Sequence, residues 1–283
     1  MAGNLGSSPI QPLNVGDVVS AGMRLYRAHL KDYYLLALKA YAWLFVPVYG
    51  WAKFYALTSL ISRLAFGDLV NQPESISSGQ RFVNSRLWQF FLTMLLLLLI
   101  TMGIVIGVII VFAILGLLFA LIAGGVGQQS NPAIYIFFGL IAFVLAIVAI
   151  VAILWLTTRF YLVNVPLAVE ENIDGASAIS RSWELSQGYV WRILLISFVS
   201  FLVTTPVQIV VQILSQILQL VFLPLIQEGS GVYTLLYFVL VMALSFSSGA
   251  LIVPFIHTTK AVIYYDLRSR REGLGLKLRE REI

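Results

Sequence analysis

The sequence predicts an all-α integral membrane protein of about six transmembrane helices, arranged as three hairpins, each preceded by a short interfacial amphipathic helix. Three observations carry that prediction. From Leu87 to Thr158 the chain runs 72 residues without a single Asp, Glu, Lys, Arg or His. A charge in hydrocarbon costs several kcal/mol and one crossing takes roughly 20 apolar residues, so this stretch has room for two crossings. The whole chain is 60% hydrophobic and 11% charged, with a mean hydropathy of +0.92, against about 25% charged residues in a soluble domain. Finally, the apolar regions alternate with short polar stretches of helical period.

The elements follow in order. In the first polar stretch, Val15, Val18, Val19, Gly22, Met23 and Tyr26 fall on one helix face, with Asp17, Ser20, Arg24, Arg27 and Lys31 off it. This predicts an interfacial helix over 14–31. An apolar region at 33–64 holds Lys39, Lys53 and Arg63 and breaks at Pro47-Val48-Tyr49-Gly50, which reads as hairpin 1. Ile76, Val83 and Leu87 share a face away from Arg81 and Arg86, giving an interfacial helix over 75–87. Hairpin 2 spans 88–165 and turns at Gly124-Gly125-Val126-Gly127-Gln128-Gln129-Ser130-Asn131-Pro132, a glycine-rich polar run ending in proline. Asp174 is placed to cap a helix over 174–188, with Ala176, Ile179 and Trp183 expected inward, Trp183 largely buried, and Arg181 and Glu184 outward. Hairpin 3 covers 190–268, and a basic cytoplasmic tail covers 269–283. All of this reads as one polytopic membrane domain, 1–283.

Orientation follows from Lys and Arg. With six spans, the turns at 47–50, 124–133 and 226–231 share one side and contain no Lys or Arg, with Glu228 their one acid. The other side carries Arg24, Arg27, Lys31, Arg81, Arg86, Arg181, Arg192 and the tail. The positive-inside rule makes that side cytoplasmic, with both termini there. Hairpin 1 is short for two crossings. A single tilted helix through Pro47 would give five spans and an external N-terminus, which would strand Arg24, Arg27 and Lys31 outside. A shallow re-entrant hairpin would keep the six-span orientation. Met1–Asn14 has no basic segment followed by an apolar core, so no cleaved signal is expected. The net charge of +5 fits orientation better than nucleic acid, since no basic stripe is long enough to track phosphates.

Inside the membrane, Gln208, Gln212, Gln216 and Gln219 are spaced 4, 4 and 3 and share a helix face with Thr204, Thr205 and Ser215. Lipid offers their amides no partner. Three readings stand open: a wet cavity or solute path, hydrogen bonds that hold the bundle or an oligomer together, and an outer half that tilts into water. Gly103 and Gly107 form a small-xxx-small pair, expected to pack on another helix of the same chain. Arg159 and Lys260 end apolar runs, where they suit headgroup contacts. His29 and His257 read as interfacial polar residues. The chain has no cysteine, hence no thiolate site. It carries no phosphate-cradling loop, HExxH or GxSxG, so no catalytic, cofactor or metal residues are assigned. Glu170, Glu171 and Asp174 read as a solvated helix start.

Several segments resemble a known family. Asp17-Val18-Val19, Leu25-Tyr26-Arg27, Gly79-Gln80-Arg81, Arg86-Leu87-Trp88, Ala178-Ile179-Ser180-Arg181-Ser182-Trp183-Glu184-Leu185-Ser186 and Tyr264-Tyr265-Asp266-Leu267-Arg268 occur in this order. Together they resemble the bacterial membrane domain related to that of glycerophosphodiester phosphodiesterases, in its stand-alone form. The resemblance implies six helices and an inner-membrane location. The fused hydrolase domain is absent from this chain, so the family's enzyme activity does not carry over. The expectation is a non-enzymatic scaffold or regulator linked to membrane lipids or a membrane complex, with a homo-oligomer or a membrane-protein partner, and with a small-solute transporter or channel as the competing class.

Overall fold

The computed structural model describes residues 13–125, 132–227, 229 and 231–273. Every regular element among them is a helix: α1 Val15–Ala28, α2 Leu30–Trp43, α3 Tyr49–Leu69, α4 Ile76–Ser85, α5 Leu87–Gly125, α6 Pro132–Arg159, α7 Asn164–Val169, α8 Gly175–Ser186, α9 Val190–Gln227 and α10 Gly231–Glu272. The proposed outer-turn residues 126–131, Glu228 and Ser230, the first twelve residues and the tail beyond Gly273 lie outside the described residues.

Local chemistry sets the short helices. The Asp17 carboxylate accepts from the Asn14 N–H at 3.1 Å at the head of α1. Ser75 caps α4 by accepting from the Ser78 N–H at 3.2 Å. Asp174 caps α8 as expected, accepting from the Ser177 N–H at 2.7 Å; hydrogen bonds from the Ser177 backbone and side chain hold its carboxyl below the usual range. On α1 the buried residues are Val18, Val19, Gly22 and Tyr26, which is the face the spacing predicts.

Burial divides the molecule into two parts. A body is built from α1–α4, α7, α8 and the adjoining ends of the four long helices. Its centre is α3, where Ala52, Ala56, Leu57, Leu60, Ile61, Leu64, Ala65 and Phe66 are buried. Beyond the body the long helices project with lipid-compatible surfaces. In α5 the buried residues are Phe90 and Thr93 and in α6 Thr158 and Arg159; α9 is buried intermittently as far as Thr204, then only at Phe222; α10 is buried only from Ala250 on. The projecting lengths of α9 and α10 are each about one bilayer crossing.

Four stretches are long and apolar enough to cross a membrane: Leu87–Leu121, Tyr135–Val169, Val190–Gln227 and Gly231–Glu272. The six-helix expectation is therefore met by four such stretches, and hairpin 1 is where the two differ. α2 has 14 residues, about 21 Å at 1.5 Å per residue, short of the ~30 Å hydrocarbon core. The apolar residues of α3 are spent on protein contacts: its neighbours are α2, α4, α5, α7 and α10. Lys53 does not face an outer turn alone but donates to Asn84 Oδ1 of α4 at 2.7 Å.

Candidate functional site

The glutamine face of α9 lies in the projecting half. Gln208, Gln212, Gln216 and Gln219 are all exposed. Gln208 donates to Thr204 Oγ1 at 3.2 Å, one turn back on its own helix. Gln212, Gln216 and Gln219 make no side-chain hydrogen bond to any described residue. α9 packs against α10, α1 and α6, with the glutamines turned away from these contacts. The amides are thus not glue within this chain. Two grooves on the same half are apolar and carried by other helices: about 390 Å³ along α5 at Leu97, Met102 and Val105, and about 310 Å³ between Phe119 of α5 and Phe138 of α6.

Gly103 and Gly107 differ from expectation. A Cβ built on either meets nothing within 4 Å, so neither glycine packs on a helix of this chain. Close approach occurs elsewhere, at Gly22, where a Cβ would lie 2.9 Å from Thr259 Cα of α10.

On the body side, cations grip helix ends. Arg159 is buried and faces α8: it donates to the Trp183 carbonyl at 3.0 Å and to Ser186 Oγ at 3.5 Å. Its guanidinium stacks over Trp155 at 4.6 Å and Trp183 at 4.7 Å. Arg271 donates to the Gln187 carbonyl, so two cations meet the negative end of the α8 dipole. Arg86 donates to the carbonyls of Leu167 (3.3 Å), Glu170 (2.8 Å) and Ile173 (3.0 Å), and to Glu171. It thereby ties the turn after α7 to the start of α5.

Lys260 is half-buried and donates to Asn164 Oδ1 at 3.4 Å, with its ammonium over the Tyr161 ring at 4.5 Å. Asn164 Nδ2 lies 3.3 Å from His257 Nδ1, which is 3.0 Å from Ser62 Oγ. His257 is buried in this cluster and does not sit at an interface. His29 stays near the surface and pairs with Asp68 at 3.1 Å. The spacing in sequence gave no signal for the Ser62–Asn164–His257–Lys260 cluster, whose members come from α3, α7 and α10.

Segments 178–186 of α8 and 264–268 of α10 meet through Glu170. Arg181 of α8 pairs with Glu170 at 3.1 Å and also with Glu272, while Tyr264 of α10 donates to Glu170. Asp266 accepts from Arg192 at 2.6 Å and from Arg270 at 3.0 Å. Nearby, Arg63 pairs with Glu74 at 2.6 Å. Burial pushes the Glu74 carboxyl up, but hydrogen bonds from Arg63 and Ser78 and the Arg63 charge together hold it below its ordinary 4.5.

Trp183 corrects the expected phase of α8. It is 38% exposed, with its ring against Trp155 at 5.5 Å and Phe160 at 5.8 Å. The buried positions are Gly175, Ala178, Ser182, Leu185 and Ser186. Small residues face inward because α8 sits close on its neighbours: a Cβ at Gly175 would collide with Thr93 Oγ1, and Ser182 donates to the Arg159 carbonyl at 2.7 Å.

Among the described residues no group of three or more His, Cys, Asp or Glu side chains could hold a metal ion. No family model matches the chain, and no curated protein or solved structure matches it.

Proposed function

We propose that this protein is a non-enzymatic, multi-pass scaffold or regulator of the bacterial inner membrane, acting on membrane lipids or on a membrane complex through a polar helical body. In this reading four helices cross the bilayer, α5 with α6 and α9 with α10. The body and both termini lie on the cytoplasmic side, and the α2–α3 hairpin belongs to the body. The charge pattern supports the orientation: every Lys and Arg of the described residues belongs to the body or to the helix ends that enter it, as the positive-inside rule requires of a cytoplasmic face. The resemblance of the segments that meet at Glu170 to the membrane domain related to that of glycerophosphodiester phosphodiesterases is in keeping with work at a lipid surface.

The observation that favours a scaffold over a transporter is the placement of the glutamine face on the outer surface of α9. A solute path within one chain would need those amides turned toward other helices. Purification in mild detergent, with identification of co-purifying lipids and proteins, tests the proposal. A reproducible lipid class or membrane-protein partner is expected. The purified protein in liposomes is expected to pass no small solute; a flux that disappears when the four glutamines become leucines would favour the transporter instead.

A further inference from the structure

We infer that the glutamine face of α9 is a seam between two copies of this chain, packed side by side in the membrane. The seam lies on the projecting half of α9, beyond Thr204 and between Pro206 and Pro224. From Gln208 to Gln219 it is about 17 Å long at 1.5 Å per residue. Its flanking residues Ile209, Ile213 and Leu220 are exposed hydrophobics, as are Val210, Leu214 and Ile217 on the far side of the helix, so the surroundings are hydrocarbon and the amides are the exception in them. Three of the four amides have no hydrogen-bond partner among the described residues, and lipid tails supply none.

The chemistry of the stripe selects the partner. Copies inserted in the same orientation are related by a two-fold axis along the membrane normal. That axis sets each residue opposite its own twin at the same depth: Gln212 meets Gln212, and Gln216 meets Gln216. A row of acids or of bases would repel itself in that arrangement. A glutamine amide carries both donors and an acceptor, so a stripe of them is its own complement. The spacing of 4, 4 and 3 keeps the row on one side of the helix for its full length. The inference rests on α9 crossing the bilayer and not on a scaffold role, so a dimer with no partner protein would leave it standing.

The chain has no cysteine, which makes cross-linking in native membranes the direct test. Single cysteines at Gln212→Cys and Gln216→Cys are expected to form disulfide-linked dimers on mild oxidation. Leu214→Cys, exposed on nearly the opposite side of α9, should remain monomeric. Replacing all four glutamines with leucine is expected to raise the concentration needed for half-dimerisation in detergent by roughly tenfold or more. Two results would overturn the seam: equal cross-linking at 212 and 214, or no cross-linking at 212 and 216 with a monomeric protein in mild detergent. Rapid modification of Gln212→Cys by a small water-soluble thiol reagent, with no cross-linking, would replace the seam by a water-filled path. The cysteine readouts do not depend on the leucine variant folding.

Discussion

At the scale of single residues, one guanidinium serves four carbonyls of one turn. Arg86 serves the carbonyls of Leu167, Glu170, Glu171 and Ile173, beside Arg63, which donates to the Ala168 carbonyl at 2.9 Å. Arg86→Ala leaves those acceptors short of donors in a half-buried site, so it is expected to lower stability by about 2–3 kcal/mol; thermal unfolding in detergent measures it. Arg86→Lys should recover only a part, because an ammonium cannot reach several diverging carbonyls from one planar fork. A glycine pair on α1 separates packing from propensity. Alanine is worth up to about 1 kcal/mol over glycine inside a helix, and Gly16 has open space around it. Gly16→Ala should therefore raise the melting temperature slightly. Gly22→Ala should lower it, since the new methyl would collide with Thr259 and overpacking costs about 1–3 kcal/mol.

Glu74 gives the molecule a pH signature. Its folded-state carboxyl lies below the ordinary 4.5, so the Arg63–Glu74 pair stabilises the fold fully above that value. The contribution is lost as pH falls below about 4.5 and through the folded-state value. Glu74→Gln is expected to lower stability at pH 7 and to flatten the acid limb of a melting-temperature profile; an unchanged limb would show that other carboxylates govern it. Residue roles of this kind were only partly legible in the sequence. The Asp174 cap was legible because capping is local. His257 was not, because its partners Ser62 and Asn164 lie far away in the chain, and an isolated histidine in an apolar run looks the same whether it faces headgroups or a polar core.

At the scale of elements, length excludes α2 as a crossing and polar content excludes α3. The long charge-free runs announced α5, α6, α9 and α10, and the α1 face could be read directly from its spacing. The α2–α3 hairpin is apolar apart from Lys39, Lys53 and Arg63, and its apolar surface is used against α10, α4, α5 and α7. Nothing in a single segment's composition distinguishes a protein neighbour from a lipid neighbour. A cysteine at Val48, in the turn between α2 and α3, separates the two arrangements. Six crossings would expose Val48→Cys to an impermeant maleimide added outside cells, whereas four crossings predict no external labelling there. Gln129→Cys should be labelled from outside in both cases, and its protection would reverse the orientation of the whole chain. For α8, the rule that large apolar residues face inward mis-set the phase by one position. Where helices approach closely, the smallest residues line the contact.

At the scale of the whole molecule, charge is segregated so strongly that a protease can report orientation. All described Lys and Arg belong to the body and the helix ends entering it. Trypsin added outside sealed, right-side-out vesicles is therefore expected to leave the chain intact, and trypsin added to inverted vesicles should cut it. External cleavage would place the body outside. The segregation itself was legible in the sequence, since each stretch of charge is contiguous. The assembly of that body was not, because its contacts join elements from opposite ends of the chain.

Those end-to-end contacts impose an order in time. Thr258 donates to the Gly22 carbonyl across 236 positions of sequence, Ser62 meets His257 across 195, and Arg270 reaches the Leu13 carbonyl across 257. During synthesis the first three helices emerge long before α10 exists, so they wait without the surface that completes their core. The α5–α6 hairpin needs only neighbours in sequence and can insert as it is made. The body is then the last part to close, and the chain is most vulnerable to degradation just before its final helix appears. A chain ending at residue 230 should still reach the membrane through α5 and α6. Its α1–α3 segment should be cut by protease at concentrations that the full chain resists.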